Sequence, residues 1–173
     1  LHFNGESTLI SLQNGGGKSV LVQMLTAPFV HPRYRNTKDR LFESYFTTNK
    51  PSFILVEWAL DQGAGYVLTG LMVRKSQDME EDRKENLDII GIVSEYQSPC
   101  IQDIHHLPVV EKGKKEMILK NFNSCRQLFE TYKKDRDMKF FYYDLTNYAQ
   151  SRQYFNKLME YQINYKEWET IIK

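Results

Sequence analysis

Apolar and polar positions follow two different periods along this chain, and the changes of period divide it. Residues 8–12, "TLISL", form a short apolar run of strand type. A polar, glycine-rich stretch follows, and residues 20–26 then take the period of a helix. Leu21, Met24, Leu25 and Pro28 lie three or four apart on one face until the proline ends the run. In "TKDRLFESYF", Thr37 stands as an N-cap before Leu41, Phe42 and Tyr45, which share one side. Residues 52–60 and 66–74 are rich in β-branched and aromatic side chains, and "DQGAG" between them predicts an antiparallel hairpin. The charged residues 76–86 read as a solvated connection, and "LDIIGIVSEY" reads as another strand.

The second half is less regular at first. From Gln97 to Gly113 no period holds, and turn formers such as Pro99, Pro108 and Gly113 accumulate. "EMILKNFNSCRQLFETYKKD" returns to helical spacing through Met117, Phe122, Cys125 and Phe129. "MKFFYYD" is a short aromatic strand, and "NYAQSRQYFNKLMEYQ" is a helix with Phe155, Leu158, Met159 and Gln162 on one face. The order lacks the steady strand–helix alternation of a doubly wound kinase or GTPase and predicts a mixed α/β layout. Neither internal repeats nor low-complexity tracts occur. The chain opens at Leu1, and its last residues, "EWETIIK", run in helical pattern without a Gly, Asn or Pro stop. Both ends read as cuts, which predicts one domain over residues 1–173 belonging to a longer protein.

Composition narrows the function classes. With 173 residues, 41% of them hydrophobic and 26% charged, the chain is long enough for a real core. Its 23 basic and 22 acidic residues leave a formal charge of +1, so nucleic-acid binding cannot be argued from net charge. Any such role needs a local patch or a partner. Apolar runs are too short to span a membrane, and no signal peptide opens the chain. Cys100 and Cys125 stand in no CxxC pattern, so a reducing, cytoplasmic compartment is expected. His105 and His106 have no Cys or carboxylate at metal spacing.

The glycine-rich stretch carries the chemistry. "NGGGKS", Asn14 to Ser19, supplies what a phosphate-binding loop requires, after a strand and before a helix. Gly15, Gly16 and Gly17 let main-chain N–H groups turn toward phosphates. Lys18 reaches the β and γ phosphates, and the Ser19 hydroxyl serves magnesium at a helix N-terminus. One letter departs from GxxxxGK[ST]: the leading glycine falls at Leu12. Asn14 compensates if the turn opens at Asn14–Gly15, because Asn accommodates left-handed geometry.

"NGGGKS" resembles the "NGSGKS" loop of the SMC-like branch of ABC-type ATPases, with Leu12-Gln13 in place of the usual Gly-Pro. "PSFILVEWALDQGAGYVLTG" is similar to the corresponding stretch of bacterial SMC-like proteins related to MukB and anti-plasmid defence ATPases, whose heads carry an antiparallel β-subdomain there. The resemblance implies a mixed-sheet P-loop fold with an antiparallel hairpin and C-terminal helices, forming the N-terminal half of a split head. It implies ATP and Mg2+ as cofactors, with ATPase activity in the full-length assembly and little or none in the chain alone. Implied partners are the C-terminal half of the same head, a second head and, in the full assembly, DNA. The implied location is the cytoplasm, with nucleoid association. Such heads also use a glutamine to sense the γ-phosphate and magnesium. Gln97 at a strand end is the first candidate, and Gln162 near the last helices is the second. A basic loop after the loop helix approaches nucleotide or DNA in such heads, which points to Arg33, Arg35 and Arg40, with a solvated connector as the equal alternative.

Two strands end in an acid. Asp144 after "KFFYY" can lie beside magnesium, or "DLTN" can cap a helix with Asp144 or Thr146 receiving N–H groups. Glu57 reads as a surface or cross-strand partner. Two other functions fit the same residues. One is a self-contained P-loop kinase or NTPase with Asp144 as the magnesium carboxylate. The other is a non-catalytic interaction module with a vestigial loop.

Overall fold

The computed structural model describes residues 1, 3, 6–78, 81–99 and 109–163. Its centre is an antiparallel sheet of four strands in the order β1-β2-β3-β6: β1 (Ser52–Ala59), β2 (Tyr66–Lys75), β3 (Leu87–Tyr96) and β6 (Lys139–Asp144). The hairpin expected over residues 52–74 is present, with Ser52 opposite Val73 and Ala59 opposite Tyr66. Every described pairing is antiparallel, so a mixed sheet would need strands beyond these.

Both faces of β2 and β3 are covered, which explains their nearly continuous apolar runs. Successive side chains point to opposite faces. Val67, Leu71, Val73, Ile89 and Val93 face α3 (Tyr148–Glu160) and the segment after α1 (Lys18–Thr26), including Phe29 and Phe42. Leu68, Met72, Ile90 and Ile92 face Phe122, Cys125 and Phe129 of α2 (Phe122–Lys134). Gly91 is fixed by this packing: a Cβ there would sit 2.7 Å from the Tyr154 ring. Tyr154 itself is fully buried and donates its hydroxyl to the Pro28 carbonyl at 2.7 Å, tying α3 to the end of α1.

Several expected elements are corrected. Residues 8–12 form no strand; Leu9 is 94% exposed, and no described segment pairs with the run. Met117 belongs to β5 (Met117–Leu119), which pairs with β4 (Val110–Lys112), and not to a helix. The helix starts later because Asn121 caps it, accepting from the Ser124 N–H at 2.9 Å. Thr37 caps no helix: its hydroxyl bonds main-chain groups of Arg40, and only a 3-10 turn, Phe42–Tyr45, follows. Phe42 is buried, whereas Leu41 is exposed. On α3 the buried residues are Tyr154, Phe155 and Leu158, while Met159 is exposed. Gln162 lies past the helix end with φ 60°, exposed, so it shares no face with Phe155.

The charged connection over residues 76–86 is less solvated than its composition suggests. Arg83 donates to Ser76 at 2.8 Å and to Asp88 at 3.0 Å, and Asp88 also accepts from Arg74 at 2.8 Å. Among the described residues no helix is long and apolar enough to cross a membrane. Cys100, His105, His106 and the final "EWETIIK" lie outside the described residues.

Candidate nucleotide-binding loop

The loop and the helix after it are built as their glycines require. Gly15 and Gly17 hold φ near +82° and +81°, a left-handed geometry that disfavours any side chain. Gly16 closes a tight turn, its N–H donating to the Gln13 carbonyl at 2.9 Å, and a Cβ there would lie 2.9 Å from that same oxygen. The two kinds of constraint together account for three consecutive glycines. Helix α1 begins at Lys18, and its first hydrogen bond runs from the Leu21 N–H to the Gly17 carbonyl at 2.9 Å. The N–H groups of the first turn therefore lack intrahelical partners, and no side chain caps them.

That turn suits an anion. Asn14, Gly15, Gly16, Gly17, Lys18 and Ser19 are all exposed, and no acid stands in the first turn. No Asp or Glu occurs anywhere from residue 7 to residue 38, while Lys18, Arg33, Arg35 and Lys38 lie in that stretch. The helix dipole adds partial positive charge at the same end. These groups fit a bound phosphate chain: main-chain donors, one mobile ammonium and one hydroxyl. The loop is pinned on its helical side alone, because residues 8–12 before it are unpaired among the described residues.

The C-terminal end of α1 is anchored more firmly than any sequence signal indicates. Arg35 is 1% exposed, and its Nε donates to the Ala27 carbonyl at 3.0 Å, at the negative end of the helix. Gln23, also buried, donates to the Arg35 carbonyl and accepts from the Tyr45 hydroxyl at 2.8 Å. Burial lowers the Arg35 pKa, against the opposing charge of Glu85, and burial likewise raises that of Glu85. Arg35 thus acts as an internal clamp on α1 and leaves the basic loop proposed for residues 33–40. Arg33 stays exposed over the Tyr34 ring at 4.6 Å, and Arg40 stacks on Tyr45 at 4.0 Å.

The remaining candidates sit elsewhere. Asp144 Oδ1 accepts from the Thr146 N–H at 3.0 Å and from its hydroxyl at 2.6 Å, and Oδ2 lies 3.9 Å from Arg126. Asp144 therefore closes the turn that leads into α3, whose N-cap is Asn147. None of its partners belongs to the glycine loop. Gln97 is exposed beyond the end of β3, beside Gly65, and lines a cleft of about 410 Å³ with Glu95, Tyr96 and Lys139. Glu57 accepts from the Tyr96 hydroxyl at 2.5 Å across the sheet, the cross-strand role its sequence suggested. No group of three or more His, Cys, Asp or Glu is positioned for a metal among the described residues. Compared with known proteins, the chain matches no family model, no curated protein and no solved structure.

Proposed function

We propose that this chain is the N-terminal half of the ATP-binding head of an SMC-like ATPase, with residues 14–19 as its phosphate loop. The observation that carries the reading is the pair of left-handed glycines, Gly15 and Gly17, opening onto an uncapped, acid-free helix start. In this reading the amides of Asn14, Gly15 and Gly17 would face phosphate oxygens while that of Gly16 closes the turn, Lys18 would neutralise the β and γ phosphates, and Ser19 would hold magnesium. Bound MgATP supplies the phosphoanhydride bond whose hydrolysis drives the assembly. The unpaired run 8–12 and the antiparallel hairpin after α1 are in keeping with a head finished by a C-terminal half. A second head, DNA and the cytoplasm complete the proposal. Arg33 stands as a proposed secondary nucleotide contact, and Gln97, whose cleft holds no residue of the glycine loop, is not assigned the sensor role. Asp144 is not assigned a metal role, since its partners are Thr146, Gln150 and Arg126 and none belongs to the loop.

Calorimetric titration of MgATP into the chain tests the loop. Lys18→Ala should weaken binding by about tenfold or more, because a charge-assisted hydrogen bond contributes roughly 1.5–3 kcal/mol. Ser19→Ala should chiefly reduce the magnesium dependence. Equal affinity of Lys18→Ala and the parent, or no binding at millimolar nucleotide, overturns the proposal.

A further inference from the structure

Among the described residues strand β6 is an outer strand of the sheet, paired with β3 on one side. In an antiparallel ladder, residue pairs that exchange main-chain hydrogen bonds alternate with pairs whose N–H and C=O groups face away. The phase is set just past the strand, where the Leu145 N–H donates to the Ile89 carbonyl at 2.9 Å. Counting inward in register, Tyr143 with Gly91, Phe141 with Val93 and Lys139 with Glu95 are the bonded pairs. Asp144, Tyr142 and Phe140 therefore turn their main-chain groups outward. Asp144 agrees with this phase, since its N–H donates to Gln150 Oε1 at 2.9 Å. Gln150 thus caps one outward position. The main-chain groups of Tyr142 and Phe140 have no neighbouring strand among the described residues.

This edge borders a groove of about 250 Å³, walled by Arg126 and Lys133 from α2 and by Gln150 and Gln153 from α3. The two cations are seven residues apart on α2, roughly 10 Å along the helix, within the roughly 20 Å length of a six-residue edge. Among the described residues the groove's lining holds no carboxylate, and the acids beside it, Glu130 near Lys133 and Asp144 near Arg126, already have hydrogen-bond partners. Glu130 accepts from the Tyr142 hydroxyl and pairs with Lys134 at 3.5 Å, and Asp144 Oδ1 is held by Thr146. Arg126 lies 3.9 Å from Asp144 Oδ2, also interacts with the Tyr142 hydroxyl, and keeps 49% of its side chain exposed. Lys133 is exposed and lies 5.4 Å over the Tyr142 ring.

We propose that this groove docks an extended peptide segment bearing carboxylate side chains, which joins the sheet as a fifth strand beside β6 and sets its acids against Arg126 and Lys133. Main-chain hydrogen bonds to Tyr142 and Phe140 supply affinity, and the two cations supply selectivity. A second copy of the chain is a poorer occupant. Pairing β6 with its own copy in one continuous sheet would bring both α2 helices to the same face, with like charges opposed. The inference stands apart from the nucleotide loop, which contributes no residue to it.

Residue-resolved amide exchange by NMR tests it, with two N-acetylated octapeptides as probes, one alternating Glu and Val and one alternating Lys and Val. The glutamate peptide should slow exchange at the Phe140 and Tyr142 amides, and the lysine peptide should not. Arg126→Glu combined with Lys133→Glu should weaken the glutamate peptide by roughly tenfold or more and reverse the preference toward lysine. Both substitutions lie on exposed positions of α2, so the parent's exchange pattern in the core reports that the fold is retained. Equal binding of the two peptides, no binding at millimolar peptide, or protection confined to other amides overturns the proposal. Concentration-dependent protection of Phe140 and Tyr142 without peptide also overturns it, in favour of a second copy.

Discussion

At the scale of single residues, the loop separates what glycine is needed for. Gly15 and Gly17 serve dihedral angles, whereas Gly16 serves space, since a Cβ there would meet the Gln13 carbonyl at 2.9 Å. Gly16→Ala should therefore distort the turn without touching the core, because the whole loop is exposed. The expected outcome is weaker MgATP binding with a melting temperature within a degree or two of the parent, since surface changes usually stay within about 0.5 kcal/mol. A large drop in melting temperature would mean that the loop is part of the folding unit. The order of residues 14–19 was legible because three glycines before Lys-Ser satisfy several physical demands at once. Arg35 was not legible. In "HPRYRNTKDR" nothing distinguishes the arginine that is buried under α1 from Arg33, which stays in water. The difference arises from tertiary packing, through Gln23 and the Ala27 carbonyl, which one-dimensional spacing does not encode.

At the scale of elements, the strands were read best where both faces are buried. β2 and β3 have few polar interruptions, so their type follows from composition even where alternation is weak. "MILK" was misread as helix because a three-residue strand is too short to display a period, and the Asn121 cap defines the true start. Residues 8–12 show the opposite failure: strand-forming residues with no neighbouring strand among the described residues gain no ladder to join. The β2–β3 hairpin also carries a pH signature. Burial pushes the Asp88 carboxyl up, but hydrogen bonds and charges from Arg74 and Arg83 outweigh this and hold its pKa below the usual 3.8. A lowered carboxylate pKa contributes stability above the unfolded value, and that contribution fades as pH falls through the folded value. Asp88→Asn should thus destabilise the protein at neutral pH by about 1–2 kcal/mol, the low end for charged hydrogen bonds because the pair is partly open to water. In urea unfolding, the gap between variant and parent should narrow as pH drops below about 4. A gap that persists unchanged at low pH would assign the loss to packing and not to the ion pairs.

At the scale of the whole molecule, charge decides how much DNA this chain can hold unaided. The formal charge is +1, so affinity must come from clusters. Burial of Arg35 removes one member of the first cluster, and Arg33 and Arg40 are stacked on tyrosines. Lys112, Lys114 and Lys115 form the second, exposed in and around the β4–β5 turn but interleaved with Glu111 and Glu116. Neutralising three phosphates with the lysine cluster gives a log–log salt slope of roughly −0.9 per contact, or about −2.7. We therefore expect weak, sequence-independent binding of duplex DNA, falling only gently with salt. Replacing the three lysines by alanine should remove most of it. Titration of labelled duplex by fluorescence anisotropy at several salt concentrations reads both quantities. A steep slope would reveal additional cationic contacts, and tight binding that discriminates between sequences at physiological salt would point to a base-reading element outside these clusters. If DNA engagement instead requires joined heads, as the SMC-like reading holds, the chain should bind duplex equally weakly with and without MgATP. The completed head should then tighten on DNA when nucleotide is added, because the added phosphate contacts come from surfaces that the single chain does not present.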